Sequence, residues 1–446
     1  MSDYVYMLES HLSPDQNRVV EEVQLAAAQS NVNLFLTGGA MRDMLAGLRI
    51  RDLDFVVEGN ALKVAKTLCE QTGAATVSAD ETRKSAELVF PSGVTAEIAM
   101  SRQEKYARSG AKPQVSPATI QEDLRGRDFT CNAIVLSLNK ASRGLLLDPM
   151  NGLADIERRE LRAIGAYGFY DDPSRLLRLI RFRVRLGFTV EERTQMQVAN
   201  AREAEVEKLI PPRALAGELL RIGAEDAPSE ILQAIEEAGM LVLFSPALLG
   251  PKLNLPGIQR FEKNCKLLPD DAPSRAARIG PFLCVLTEKL SVKEKQALVK
   301  ALEMTKAELD PWQKLEARAK RLETALRAPR VKKASHVYQI MTAAAPDEVL
   351  FQLDHSPFKP VQERMRNYYQ KYLPLLQEIP PEEWATVEGQ PGTPKYNKAR
   401  DSFIAVRLDR KVKPPAPEAP PTPPPAPAPS SWSTPETALA RRGRQG

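Results

Sequence analysis

A short apolar run, Leu34-Phe35-Leu36, leads through Thr37 into Gly38-Gly39, and an apolar helical turn follows over residues 40–46. The run predicts a buried strand, and the paired glycines let the backbone turn without a side-chain clash. A second strand pattern is Arg51-Asp52-Leu53-Asp54-Phe55-Val56-Val57. Side chains alternate along a strand, so Asp52 and Asp54 share one face while Leu53, Phe55 and Val57 take the other. Leu62, Ala65 and Leu68 then mark an amphipathic helix over residues 61–72, which Gly73 stops. Strands are expected over residues 86–90 and 94–100, with Glu97 on the face opposite Ala96 and Ile98. Residues 1–30 read as one lead-in helix with a stripe of Val19, Val20, Val23, Leu25 and Ala26. Residues 102–115 are polar and contain Gly110 and Pro113, which predicts a mobile loop.

Beyond residue 165 the pattern turns helical. Asp171-Asp172-Pro173-Ser174-Arg175 predicts a helix start with Asp172 as N-cap and Pro173 as first helical residue. Leu176, Leu177, Ile180 and Val184 form its expected core stripe, and Arg178, Arg181 and Arg185 share the other side. Helical patterning continues through Leu243, and helices broken by prolines are expected over 281–290, 293–304, 311–326 and 361–375. The last stretch, 406–446, turns into proline and alanine and is expected to be extended and disordered.

Composition narrows the classes. The 446 residues suffice for two or three domains, and 43% hydrophobic with 27% charged residues fits a soluble protein. A net charge of +5 means that nucleic-acid contact would come from local patches. Cys69, Cys131, Cys265 and Cys284 are scattered, without zinc-ligand or disulfide spacing. No signal segment or bilayer-spanning run is evident, so a cytoplasmic location without membrane partners is expected. His11, His336 and His355 do not cluster, which argues against a histidine-metal hydrolase domain.

Two glycines opening a helix can cradle a phosphate, and two acids side by side on a strand call for a divalent cation. Together they are the equipment of metal-assisted phosphoryl or nucleotidyl transfer. The stretch Leu36-x-Gly38-Gly39-x-x-Arg42-Asp43, followed by Asp52-x-Asp54, resembles the head signature of the tRNA nucleotidyltransferase and bacterial poly(A) polymerase family, class II type. Arg127-Asp128-Phe129-Thr130-Cys131-Asn132-Ala133, Asp148-Pro149 through Asp155, and Asp171-Asp172-Pro173-Ser174-Arg175 extend the resemblance to about Leu243.

The resemblance implies an α/β nucleotidyltransferase head over 31–165, an all-α neck over 166–245 that selects the base, and a helical body over 246–405. By the same resemblance Asp52, Asp54 and Glu97 are the catalytic carboxylates and would hold two magnesium ions. Gly38, Gly39 and Arg42, with Asp43 in the same motif, would cradle the triphosphate. Arg127 and Asp128 would lie around the ribose and phosphates. Asp172 and Arg175 would read the base, and Arg178 is counted with the nucleotide-binding residues. A carboxylate and a guanidinium suit cytosine and adenine, each of which presents an amino donor beside a ring-nitrogen acceptor. The implied substrates are CTP, ATP and the tRNA 3′ end, with the Asp148–Asp155 segment as a head-to-neck hinge.

Some positions depart from the family pattern: Gly126 replaces an arginine, Asp171 a glutamate and Pro212 a glutamate. The basic stretch Lys314 to Lys333 reads either as a solvated face or as a grip on tRNA phosphates. CCA addition to tRNA is the leading expectation. Poly(A) synthesis or addition of only part of the CCA end stays open, as does a non-catalytic RNA-binding relative. The residues 102–115, of ordinary length, favour an enzyme able to add A. The tail has no identifiable partner.

Overall fold

The computed structural model describes residues 3–410. Its central sheet has seven strands: β1 (Asn33–Leu36), β2 (Leu53–Glu58), β3 (Ala75–Asp80), β4 (Ser85–Val89), β5 (Thr95–Met100), and, after a separate ribbon of β6 (Arg102–Lys105) and β7 (Gln114–Pro117), β8 (Val135–Ser137) and β9 (Leu146–Leu147). The order is β3-β4-β5-β2-β1-β8-β9. β2 and β5 run parallel and the other neighbours antiparallel. The sheet is therefore mixed, and a mixed sheet needs cover on both faces where its central strands are apolar throughout.

That cover comes from two cores. Leu34, Leu36, Phe55, Val57, Leu88 and Ile98 pack with the helices Pro14–Gln29 and Ala61–Thr72. Phe35, Val56 and Ala99 pack on the opposite face with Leu124, Val135 and Ile164. Asp54 and Glu97 lie on this second face, since they alternate with Phe55 and Ile98.

The lead-in divides into two helices, Asp3–His11 and Pro14–Gln29, because Ser13 and Gln16 form a capping box between them. Leu25, expected in the core stripe, is 63% exposed. The helix after β1 starts at Gly38, two residues before its expected start. β3 was not expected: Ala75, Val77 and Ala79 alternate with Thr76, Ser78 and Asp80, but the apolar members are small or few and nearly all of its residues are exposed, so no core stripe marks it. The expected mobile loop at 102–115 instead begins and ends in the β6–β7 ribbon. Arg83, Arg102 and Tyr106 all bond to Glu104 at its base, a polar core that hydrophobic periodicity cannot signal.

Helices then dominate. Asp172 is not the N-cap of the neck helix, which runs Arg175–Leu186 from Ser174. Pro311 lies inside a helix Lys306–Gln313, and a second helix, Leu315–Arg327, follows it. The expected helix over 361–375 is Lys359–Asn367 continued through a π-helical turn at Tyr368–Tyr372. The chain forms two compact units, one ending at Thr386 and one beginning at Val387. In the second, the helix Pro394–Asp409 is capped by Thr393 and covers the first residues of the expected tail; the rest of that tail lies outside the described residues. No helix among the described residues is long and apolar enough to cross a membrane.

Candidate active site

The turn after β1 is shaped around one carboxylate. Thr37 N–H donates to the Asp54 carbonyl (2.8 Å) and Gly39 N–H to Asp54 Oδ2 (2.7 Å). Gly38 has φ of +60°, and a Cβ there would stand 2.9 Å from Asp54 Oδ2; at Gly39 the figure is 3.0 Å. Glycine is required at Gly38 by its positive φ and the close carboxylate, whereas a Cβ at Gly39 would only crowd the same oxygen. The helix Gly38–Leu45 starts at this point and aims the Gly39 amide at Asp54. Thr37 Oγ1 is buried beside the turn and has no hydrogen-bond partner among the described residues.

The strand register assembles the acids. Asp54 pairs with Glu97 across β2 and β5, and Glu87 of β4 lies on the far side of Glu97. Asp52 stands just before β2, and its Oδ1 accepts from Thr95 Oγ1 (2.8 Å). Burial, then the charges of Glu97 and Asp52, push the Asp54 carboxyl up to about 7, while the Gly39 amide and Arg42 pull the other way. An all-carboxylate set suits a hard cation such as magnesium, and a cation there would relieve the repulsion felt by Asp54. The residues fit the metal, but the ligand set is not preassembled. Among the described residues no three Asp, Glu, His or Cys side chains are gathered to hold an ion. Asp52 is turned to Thr95 and Asp54 to Gly39.

Arg42 and Asp43 lie inside the protein, both about 97% buried. Arg42 Nε donates to Asp43 Oδ1 (2.9 Å), its Nη1 to Asn132 Oδ1 (2.8 Å), and its guanidinium lies over the Phe182 ring (4.8 Å). The expected triphosphate cradle is therefore divided: Gly38 and Gly39 form the turn, whereas Arg42 braces it from within. Asp43 is committed to Arg42 and Arg185.

Asn132 joins this group to Asp128 by its Nδ2 (2.9 Å). Asp128 also accepts from Phe129 N–H (2.8 Å) and Arg178 Nε (2.8 Å). Burial opposes its charge, yet Arg178, Arg175 and these hydrogen bonds hold its carboxyl well below the usual range. Arg127 does not pair with Asp128; its Nε and Nη2 donate to Asp123 Oδ2 (3.0 and 2.7 Å).

Asp172 and Arg175 are neighbours, with Nε 4.0 Å from Oδ2. Asp172 Oδ1 accepts from the Ser174 N–H (3.1 Å) and hydroxyl (2.6 Å), which leaves Oδ2 outside that turn. Arg175 donates to the carbonyls of Arg127 (3.2 Å) and Gly126 (2.9 Å). The neck arginine is thereby locked to the head. Tyr106 of the β6–β7 ribbon faces this pair: burial, Glu104 and Asp172 together push its phenol up. At the ribbon's far end a Cβ on Gly110 would stand 2.2 Å from the Leu209 carbonyl, so only glycine fits against the neck there.

With this geometry in hand, similarity to known proteins is informative. The Poly A polymerase head domain family matches residues 34–162. The CC-adding tRNA nucleotidyltransferase of Deinococcus radiodurans is 31% identical over 274 residues, covering 61% of this chain and 71% of that protein. The chain belongs to the tRNA nucleotidyltransferase family. An A-adding tRNA nucleotidyltransferase of Aquifex aeolicus is 37% identical over 199 residues, 45% of this chain and 24% of the relative. The matches to three A-adding relatives span only 24–56% of their lengths. A CCA-adding enzyme in an apo form has the same fold, at 24% identity and a TM-score of 0.53, covering 92% of this chain and 95% of that one.

Of the departures from the family pattern, the structure explains Pro212 alone. Gly126 contributes its carbonyl to Arg175, and Pro212 is the first residue of the helix Pro212–Ala224, where its missing N–H costs nothing. Asp171 ends the short helix Gly168–Asp171.

Sequence reasoning also missed several members of the site. Arg181 is not on a solvated face: it is 5% exposed and pairs with Glu218 (3.0 Å) and Glu225 (3.1 Å). Two glutamates spaced two helical turns apart, opposite an arginine stripe, were the available signal. Asn132 lay within a recognised motif. Tyr106 carried no sequence signal.

Proposed function

We propose that this chain extends the 3′ end of tRNA without a nucleic-acid template, adding C, C and A from CTP and ATP. The observation that carries this reading is the row of Asp52, Asp54 and Glu97 against the Gly38–Gly39 turn, in a member of this family. In this reading residues 31–165 perform the chemistry, 166–245 select the base, 246–405 bind the tRNA body, and 406–446 form a tail of unassigned partner.

Asp52, Asp54 and Glu97 would hold two magnesium ions. Magnesium there would activate the RNA 3′-hydroxyl and neutralise charge on the α-phosphate and the departing pyrophosphate. The glycine turn at a helix start would offer its backbone amides to the triphosphate once Asp54 turns from Gly39 to a cation. Asp172 Oδ2 would accept from the amino group of cytosine or adenine. A remaining Arg175 N–H would donate to the adjacent ring nitrogen, and uracil or guanine would leave both groups mispaired. The Arg175 bonds to residues 126 and 127 fix that pair relative to the catalytic strands. Positioning and charge stabilisation account for most of the acceleration in this scheme.

Addition of A alone is a second reading, which the A-adding relatives support. Purified protein, magnesium and tRNA transcripts ending before CCA, at C and at CC separate these readings, each nucleotide supplied singly and then CTP with ATP. Stepwise addition that stops at CCA supports the main reading. Extension of only the CC-ended transcript, with ATP, identifies an A-adding enzyme. A growing A ladder identifies a poly(A) polymerase, and no extension leaves an RNA-binding protein.

A further inference from the structure

The loop that carries Asp52 is gripped from outside the head. Arg275, in the short helix Ala272–Ala276 of the body, is 8% exposed. Its Nη2 donates to the Arg51 carbonyl (3.0 Å) and lies 3.9 Å from Asp52 Oδ1. Its Nη1 donates to Asp270 (3.0 Å), which fixes the guanidinium. Asp270 also pairs with Arg49 (3.2 Å), so two residues of the loop before β2 are held by this one turn of the body. The same turn reaches the β4–β5 connection: a Cβ on Gly93 would stand 3.6 Å from the Pro273 ring. Arg51 itself pairs with Glu225 (3.0 Å) and Asp226, and Arg278 holds Asp226 (2.8 Å).

We propose that Arg275 is a positioning residue for Asp52, which makes the body turn at 270–278 a working part of the carboxylate site. The inference rests on the nucleotidyltransferase reading only for the role of Asp52. Arg275 is paired with Asp270, so its main effect on Asp52 is to fix the backbone beside it and to set a guanidinium 3.9 Å from one carboxylate oxygen. Thr95 fixes the same oxygen from β5. A planar guanidinium with several donors can hold the Arg51 carbonyl and face Asp52 at once, whereas a lysine ammonium cannot keep that fork. A side chain that faces a metal ligand and bonds the backbone beside it, without touching the metal, orients the ligand.

The test is manganese binding to the full chain, read by electron paramagnetic resonance without nucleotide or RNA. Variants are Arg275→Met, Arg275→Lys and Asp270→Asn, each checked for a cooperative thermal transition. Loss of an orienting partner is expected to weaken manganese binding about tenfold in Arg275→Met, with partial recovery in Arg275→Lys. Unchanged manganese affinity in a cooperatively folded Arg275→Met protein overturns the proposal. Should that variant fail to fold, Asp270→Asn decides: weakened binding supports the proposal and unchanged binding overturns it. A wild-type protein that shows these metal effects but extends no tRNA would overturn the transfer reading and leave the role of Arg275 standing.

Discussion

Asp54 and Glu97 are direct partners across the parallel strands β2 and β5, with Asp54 also bonded to the Gly39 amide at 2.7 Å. One carboxylate thus touches both halves of the site, the acid row and the glycine turn. Burial, then Glu97 and Asp52, oppose its charge.

That opposition has a measurable sign. The Asp54 carboxyl titrates at about 7 in the folded protein against an ordinary value of 3.8. Between these limits the folded state holds a proton that the unfolded state has released, so this group's contribution to stability falls as pH rises. In chelator, the Tm of the wild type minus that of Asp54→Asn should decline from about pH 4 to about pH 7. Magnesium should flatten the decline, because it favours the ionised form. A difference that is level or rising in chelator contradicts the assignment.

Gly38→Ala should cripple the site more than the fold. The added Cβ meets Asp54 Oδ2 at 2.9 Å and sits at φ of +60°. The strain should cost about 1–2 kcal/mol of stability, while displacement of Asp54 should lower the transfer rate by about a hundredfold. Urea unfolding and single-turnover extension check the two effects separately. A rate within twofold of wild type shows that Asp54 tolerates the shift.

Arg178 is expected to be a stability residue as much as a nucleotide contact. Arg178→Met would leave Asp128 buried without its principal cation and should cost about 3–5 kcal/mol in urea unfolding. Adding Asp128→Asn should recover part of that loss, since the uncompensated charge goes with it. Because the Asp128 carboxyl is depressed in the fold, it stabilises above its ordinary range, and that contribution is lost as pH falls below it. The Arg178→Met protein should show less of this acid-side loss.

Arg175→Lys removes the fork that spans the carbonyls of residues 126 and 127. Discrimination of CTP and ATP against UTP and GTP, measured as ratios of kcat/KM, should fall about tenfold or more. Preserved ratios would move base selection away from Arg175.

The parts of the site that could be read from the chain were those with backbone consequences. Gly38, Gly39 and the Asp52–Asp54 alternation announce a turn and a strand face by local rules, and the register then places Glu97 beside Asp54. Arg42 was legible as a motif member but not in its orientation, because its partners Asn132 and Phe182 are distant in sequence. The arginines of Arg175–Leu186 look solvated by periodicity, and only the tertiary fold shows Asp43, Asp128, Glu218 and Glu225 opposite them. The β6–β7 ribbon escaped because polar side chains dominate it, and β3 because its alternating Ala75, Val77 and Ala79 are exposed at the sheet edge and supply no core stripe.

The most direct measurement is extension of a tRNA transcript lacking CCA, with CTP, ATP and magnesium, by the wild type and by the Asp52→Ala, Asp54→Ala double variant. The account predicts that the wild type adds nucleotides and stops, while the folded double variant adds none. Equal extension by both proteins would remove the carboxylate row from the chemistry and contradict the account.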